Sequence, residues 1–211
     1  MAFFIYLNMK KKLKIGITGG IGSGKTTVCH IFETLNIPVY YADERAKALM
    51  IQDKNLIQNI KNLLGENAYF EDGSLNRTYI SEIVFHNSMK INALNALVHP
   101  AVLADGEAWH KKQINVPYTL KEAALHFESG NYKYFDKMIT VFAPENSRIE
   151  RVLLRGGHLS KQDIEARIAT QMPEEEKMKR ADFIIFNDGT QPLITQVLNI
   201  HHILINKILS K

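Results

Sequence analysis

The chain has 211 residues, 45% of them hydrophobic and 23% charged, a composition that fits one globular unit with a sizeable core and excludes a disordered or repetitive polymer. Lys and Arg outnumber Asp and Glu by 26 to 22, for a formal charge of +4, which favours anionic ligands but lacks the dense basic tracts of nucleic-acid binders. The one cysteine, Cys29, allows no intrachain disulfide and points to a reducing, cytoplasmic compartment.

The chain starts with the apolar stretch AFFIYL, far short of the ~20 apolar residues of a membrane span. Its lysines follow the apolar run instead of preceding it, so it is no signal peptide either. Met1 and Met9 are both candidate starts, and one expectation is that translation starts at Met9; residues 1–12 read as an N-terminal extension, and residues 13–211 carry the fold.

Leu13 to Val28 reads LKIGITGGIGSGKTTV. Leu13, Ile15 and Ile17 have the pattern of a buried strand. Gly19 and Gly24 then bracket four residues and are followed by Lys25 and Thr26, the full spacing of a phosphate-binding loop. Glycines let the backbone turn so sharply that successive N–H groups address one anion. The helix starting at Lys25 adds its positive end, Lys25 reaches the β- and γ-phosphates, and the Thr26 hydroxyl suits Mg²⁺. Nucleotide contacts therefore fall on Gly20, Ile21, Gly22, Ser23, Gly24, Lys25, Thr26 and Thr27, with a nucleoside triphosphate as the ligand.

Val28, Ile31, Phe32 and Leu35 recur at helical spacing and place an amphipathic helix over residues 25–35, which Asn36 to Pro38 ends. Val39 to Tyr41 is a second strand, with Asp43 just past its C-terminal end, the edge where open parallel sheets bind ligands. Residues from about 45 to 113 form a mostly helical, polar-rich insertion with apolar repeats at Leu56, Ile60, Leu63 and Leu64 and at Ile91, Leu94, Leu97 and Val98. The turn Glu71-Asp72-Gly73 interrupts it, and Pro100 marks a further break after His99.

Tyr118 to Phe127 suits a central strand containing Glu122, and Ile139 to Phe142 the next one. Pro144 opens a helix with the stripe Ile149, Val152 and Leu153 that also carries Arg148, Arg151 and Arg155. Gly156-Gly157 ends it, and Ser160 with Asp163 signals the cap of another helix, so residues from about 148 to 172 read as a small helical lid. Phe183 to Phe186 is the last strand, and Leu193, Val197, Ile200 and Leu204 outline a closing helix. The fold class is α/β: a parallel sheet of the phosphate-loop NTPase type covered by helices, with the helical insertion binding an acceptor.

Phosphoryl transfer needs a neutralised triphosphate, an acceptor in line and an oxygen base. Asp43 suits that base, or equally caps the segment starting at Arg45. Glu122 suits Mg²⁺ through water, or pairs with neighbours of Lys121. Arg151 and Arg155 suit a clamp over the phosphates or a solvated helix face, and Arg148 reads as surface. His99 reads as a packed or turn-capping residue and His201-His202 as a solvated corner. The eight histidines show no metal-ligand spacing, and no zinc is expected. A GTP-operated switch would need Asn-Lys-x-Asp, whereas Asn206-Lys207 is followed by Ile208 and Leu209.

From Leu13 onward the chain carries, in order, TGGIGSGKTTV at 18–28, YADERA at 41–46, LNR at 75–77, VF at 84–85, HP at 99–100, KEAALHFES at 121–129, RIERVLLR at 148–155, ARIATQM at 166–172 and ADFIIFNDG at 181–189. This ordered set resembles the dephospho-coenzyme A kinase family. The resemblance implies transfer of the ATP γ-phosphate to the ribose 3′-hydroxyl of dephospho-coenzyme A, a small-molecule acceptor, with Mg²⁺ and without nucleic-acid or membrane partners. It makes Asp43 the base or hydroxyl-orienting group, Arg77 and His99 acceptor-domain residues, Arg155 a lid residue and Asn187 a neighbour of the adenine. The chain departs from the family pattern at Tyr41, where an acidic residue is usual, at Ala124 (Pro), His126 (Leu) and Gly156 (Asp). The rival readings are another phosphate-loop kinase, such as a nucleoside monophosphate kinase, and a slowly hydrolysing nucleotide switch.

Overall fold

A computed structural model describes residues 12–85, 87–156 and 159–209, so the expected start at Met9, most of the N-terminal extension and Gly157 lie outside the described residues. The chain divides into two compact units, Met1–Tyr40 with Gln113–Lys211, and Tyr41–Lys112.

In the first unit β1 (Leu13–Thr18) leads through the glycine-rich loop into α1 (Lys25–Thr34), and β2 (Val39–Tyr41) follows. After the second unit come β3 (Tyr118–Glu122), β4 (Lys137–Phe142), α6 (Glu145–Leu154), α7 (Lys161–Ala169), α8 (Glu174–Arg180), β5 (Phe183–Phe186) and α9 (Leu193–Leu209). The five strands are ordered β2-β3-β1-β4-β5, with β1 parallel to both β3 and β4, and β4 parallel to β5. Central position explains why Ile15 and Ile17 have no exposure: β1 is buried on both edges and both faces, as apolar runs in parallel sheets are. Two carboxylates fix where strands begin, Asp136 accepting from the Lys14 N–H (2.8 Å) and Asp182 from the Met138 N–H (2.8 Å) while also bridging Lys137.

Val28, Cys29 and Phe32 of α1 and Val197, Ile200 and Leu204 of α9 are buried, and these two helices pack together. Phe32 meets the ring of Tyr118 edge-on, with centroids 6.4 Å apart. The Tyr118 hydroxyl is 2.7 Å from His201 Nδ1, so His201 is half-buried and only His202 remains a solvated corner. Ser160 and Asp163 form the reciprocal capping box that opens α7.

The second unit is helical: α2 (Ala42–Gln52), α3 (Lys54–Leu64), a 3₁₀ turn (Glu66–Ala68), α4 (Arg77–Phe85) and α5 (Ser88–Lys112). Asp53 caps α3 by accepting from the Asn55 and Leu56 amides, and Leu56, Ile60 and Leu64 are its buried stripe. Arg45 grips Asp105 with two parallel hydrogen bonds of 2.9 Å, joining α2 to α5. The expected break at Pro100 is absent, for α5 runs through it. Proline inside a helix forfeits one hydrogen bond and costs ~3 kcal/mol, but α2, α3 and α4 all pack along α5 and hold it helical.

β3 is shorter than expected and ends at Glu122. The last sheet bond there runs from the Ala123 N–H to the Ile17 carbonyl, after which Ala124 to Ser129 form a turn with Leu125 47% exposed. The turn buries His126, whose Nε2 lies 3.0 Å from the Lys121 carbonyl oxygen and whose ring meets Phe135 edge-on. Burial, aided by the Lys121 and Lys25 charges, pushes the imidazole pKa down to about 4. The ordinary value is near 6.5, so between pH 6.5 and 4 only the unfolded chain takes up this proton, and stability falls as pH falls through that window. In His126→Leu the stability difference between pH 7 and pH 5, measured by urea unfolding, should shrink by about 2 kcal/mol. An undiminished difference would remove His126 from the acid response.

Candidate active site

The loop after β1 is shaped by glycines in backbone regions that residues with side chains rarely adopt. Gly22 has φ +77° and Gly24 φ +93°, and a side chain at Gly22 would run into the backbone of Arg148. The Ser23 N–H donates to the Gly20 carbonyl (3.1 Å), closing a turn, and the Val28 N–H donates to Gly24 (3.1 Å), opening α1. Gly24 is the cap residue of α1 and brings no side-chain acceptor. Ser or Asp there would cap the helix itself, whereas glycine suits a helix whose positive end receives an external anion.

Lys25 is buried at the start of α1, its ammonium donating to the carbonyls of Gly19 (3.0 Å) and Gly20 (3.3 Å). Glu122, buried at the end of β3, lies 3.9 Å from the same ammonium. The ammonium of the neighbouring Lys121 sits over the Tyr40 ring. Thr26 and Thr27 are exposed on the first turn of α1, and Ser23 has no exposure.

Asn187 joins this cluster from the end of β5. Its N–H donates to the Phe142 carbonyl and its side-chain amide to the Ser23 carbonyl, both at 2.8 Å. Its own carbonyl accepts from Arg151 Nη2 at 2.9 Å, so Arg151 serves the loop's surroundings. Arg155 is exposed at the end of α6 and precedes Gly156 at φ +71°. Arg148 is 4% exposed, contrary to the surface position expected, with Glu145 at 3.6 Å and Glu174 at 3.9 Å. Its guanidinium occupies the space a side chain at Gly20 would need. Sequence reasoning also missed Gln171, whose Oε1 accepts from the Ile21 N–H at 3.0 Å. The signals for both were faint: an acid three residues before Arg148, and the place of Gln171 inside the ARIATQM motif.

The remaining candidates belong to the second unit. Asp43 is exposed in the first turn of α2, whose cap residue is Tyr41. Asp43 is therefore no helix cap, and its carboxylate complements the helix's positive end. Arg77 is exposed at the start of α4, and His99 is exposed within α5, neither packed nor capping a turn. Among the described residues no three or more His, Cys, Asp or Glu side chains gather as a metal cluster, and no helix is long and apolar enough to cross a membrane.

Gly22→Ala should lower the unfolding free energy by about 2–4 kcal/mol, combining left-handed strain with the collision at Arg148. Gly73→Ala provides the reference, since Gly73 has a similar φ of +80° with nothing within 4 Å; about 1 kcal/mol is expected there. Equal losses by urea titration would show that close approach to α6 does not shape the loop.

Comparison with known proteins agrees with this geometry. A family model described as dephospho-CoA kinase matches residues 13–192. A dephospho-CoA kinase of Bacteroides fragilis is 38% identical over 196 residues, covering 93% of this chain and 95% of the relative. Among solved structures, TT1252 from Thermus thermophilus superposes with a TM-score of 0.81 at 33% identity, covering 92% of this chain and 98% of that one. The dephospho-CoA kinase from Campylobacter jejuni gives 0.67 at 25% identity, covering 93% and 99%. With the loop, the sheet order and these likenesses together, the chain belongs to the dephospho-CoA kinase family.

Proposed function

We propose that this protein transfers the γ-phosphate of ATP to the ribose 3′-hydroxyl of dephospho-coenzyme A, giving ADP and coenzyme A, the last step of coenzyme A synthesis. The observation that carries this reading is the complete loop from Gly19 to Thr26 between the central strand and α1, in a chain of this family. Only the family resemblance specifies the acceptor.

Transfer through a loose transition state asks the protein for positioning and charge neutralisation more than for covalent chemistry. Gly20, Ile21, Gly22, Ser23, Gly24, Thr26 and Thr27 surround the phosphates, and Lys25 exchanges its loop carbonyls for phosphate oxygens. Asn187 serves the adenine side. Asp43 takes or orients the proton of the acceptor hydroxyl, Arg77 and His99 hold the acceptor, and Arg155 meets charge that spreads onto the transferring group. The Thr26 hydroxyl and the Glu122 carboxylate beside Lys25 are hard oxygen donors that suit Mg²⁺, which takes few protein ligands and completes its shell with phosphate and water. Bound there, the ion supplies neutralisation of the polyphosphate charge. Cys29 is buried and has no disulfide role, which supports the cytoplasm as the compartment.

The deciding assay measures ADP release from ATP and Mg²⁺ alone, with dephospho-coenzyme A, and with a panel of nucleoside monophosphates. Stimulation by dephospho-coenzyme A is expected. Stimulation by monophosphates only would replace the proposal with a nucleoside monophosphate kinase, and release indifferent to every acceptor with a nucleotide switch.

Two substitutions separate the roles. Lys25→Ala should weaken ATP binding and cut turnover by ~10²-fold or more, the scale for a lost group that stabilises developing charge; intact binding and turnover would sink the loop assignment. Asp43→Asn should keep ATP affinity, read by calorimetry, and cut turnover by ~10²-fold or more. Near-normal turnover there would leave Asp43 only its helix-end role.

A further inference from the structure

Three successive loop residues are met from outside the loop, and the middle contact has no part in the chemistry above. The Arg148 guanidinium fills the space beside Gly20, and the Arg148 backbone fills the space beside Gly22. Between them the Ile21 N–H donates to Gln171 Oε1 at 3.0 Å, across 150 residues of sequence. Ile21 is flanked by glycines that carry no side chain to restrain it, so this bond is the directional tie at that point of the loop.

Gln171 is itself held firmly. Its N–H donates to the Ile168 carbonyl (3.0 Å), continuing the end of α7. The next amide, of Met172, donates to Glu128 Oε1 (2.8 Å). Glu174 lies 3.0 Å from the ammonium of Lys177, which has no exposure and is 3.6 Å from Glu128, and Arg148 is 3.9 Å from Glu174. The segment from Gln171 to Glu174 is thus fastened to the turn after β3, to α6 and to α8.

We infer that Gln171 is a positioning residue for the phosphate loop: its side-chain oxygen holds the Ile21 amide so that the loop keeps the shape an anion needs before the anion arrives. A glycine-rich loop without that tie spreads over other backbone conformations, and apparent affinity falls with the fraction that is competent. The loss should fall on the polyphosphate and not on the base. The inference rests on the reading of this loop as the nucleotide site.

The test compares the full-length protein with Gln171→Met, which keeps the bulk and removes the acceptor. Calorimetry with ATP and with inorganic tripolyphosphate should show both affinities reduced by the same factor, about 3- to 10-fold, as for one hydrogen bond. The thermal midpoint should move little, since Gln171 is only half-buried. Unchanged affinities, or a loss for ATP without a matching loss for tripolyphosphate, would overturn the inference. A lowered midpoint with intact affinities would do the same, leaving Gln171 a purely structural side chain. A wild-type protein that binds neither ligand would overturn this inference and the nucleotide assignment together, whereas wild-type binding that the variant leaves intact overturns this one alone. Should Gln171→Met fail to fold, hydrogen exchange of the Ile21 amide in the wild-type protein decides: protection supports the tie, and exchange at the unprotected rate refutes it.

Discussion

A glycine-rich loop that keeps backbone amides available for an anion has few of its own groups left to hold it together, and this constraint organises the first unit. Gly20, Gly22 and Gly24 have no side chains to pack, so apart from the Ser23–Gly20 turn the loop's shape is imposed by its neighbours. Asn187 holds the Ser23 carbonyl, Arg148 occupies the space beside two of the glycines, and Gln171 takes the Ile21 amide. These residues follow β5, β4 and α7 respectively. The sheet order brings the ends of β3 and β4 to either side of β1, which is why Glu122 and Phe142 both take part in contacts around the loop.

Much of this was legible in local sequence. Glycine spacing, the Lys-Thr pair and an apolar run before them located β1, the loop and α1, because each depends on residues within a turn or two of one another. The Ser160-Asp163 box was legible for the same reason. Arg148 was not, since burying a guanidinium depends on Glu174, 26 residues later, and on glycines more than 120 residues earlier. The end of β3 was misjudged because Ala123, Ala124 and Leu125 suit a buried strand and a tight turn equally, and only the partner strand's length decides. Pro100 misled because tertiary packing outweighs a local helix penalty, and His201 because its partner is a tyrosine on another element.

The two units stabilise polar groups differently. The first buries charge: Lys177 has no exposure and Arg148 has 4%. Such groups persist only when surrounded by opposite charge, and removing one partner costs far more than the pair contributes. The second unit relies on side chains reaching main-chain carbonyls, Tyr69 to Met50 (2.7 Å) and Tyr79 to Leu64 (3.0 Å), and on the Arg45–Asp105 fork. A small helical bundle has little interior to offer, and these ties fix its helix packing without a larger core.

The folded-back posture of Lys25 bears on ionic selectivity. With two carbonyl oxygens as acceptors and a carboxylate nearby, the ammonium has already shed its hydration and is internally neutralised. A ligand that offers several charged oxygens at once would replace that full set of partners, whereas a halide, a single atom with a single charge, would replace only one of them.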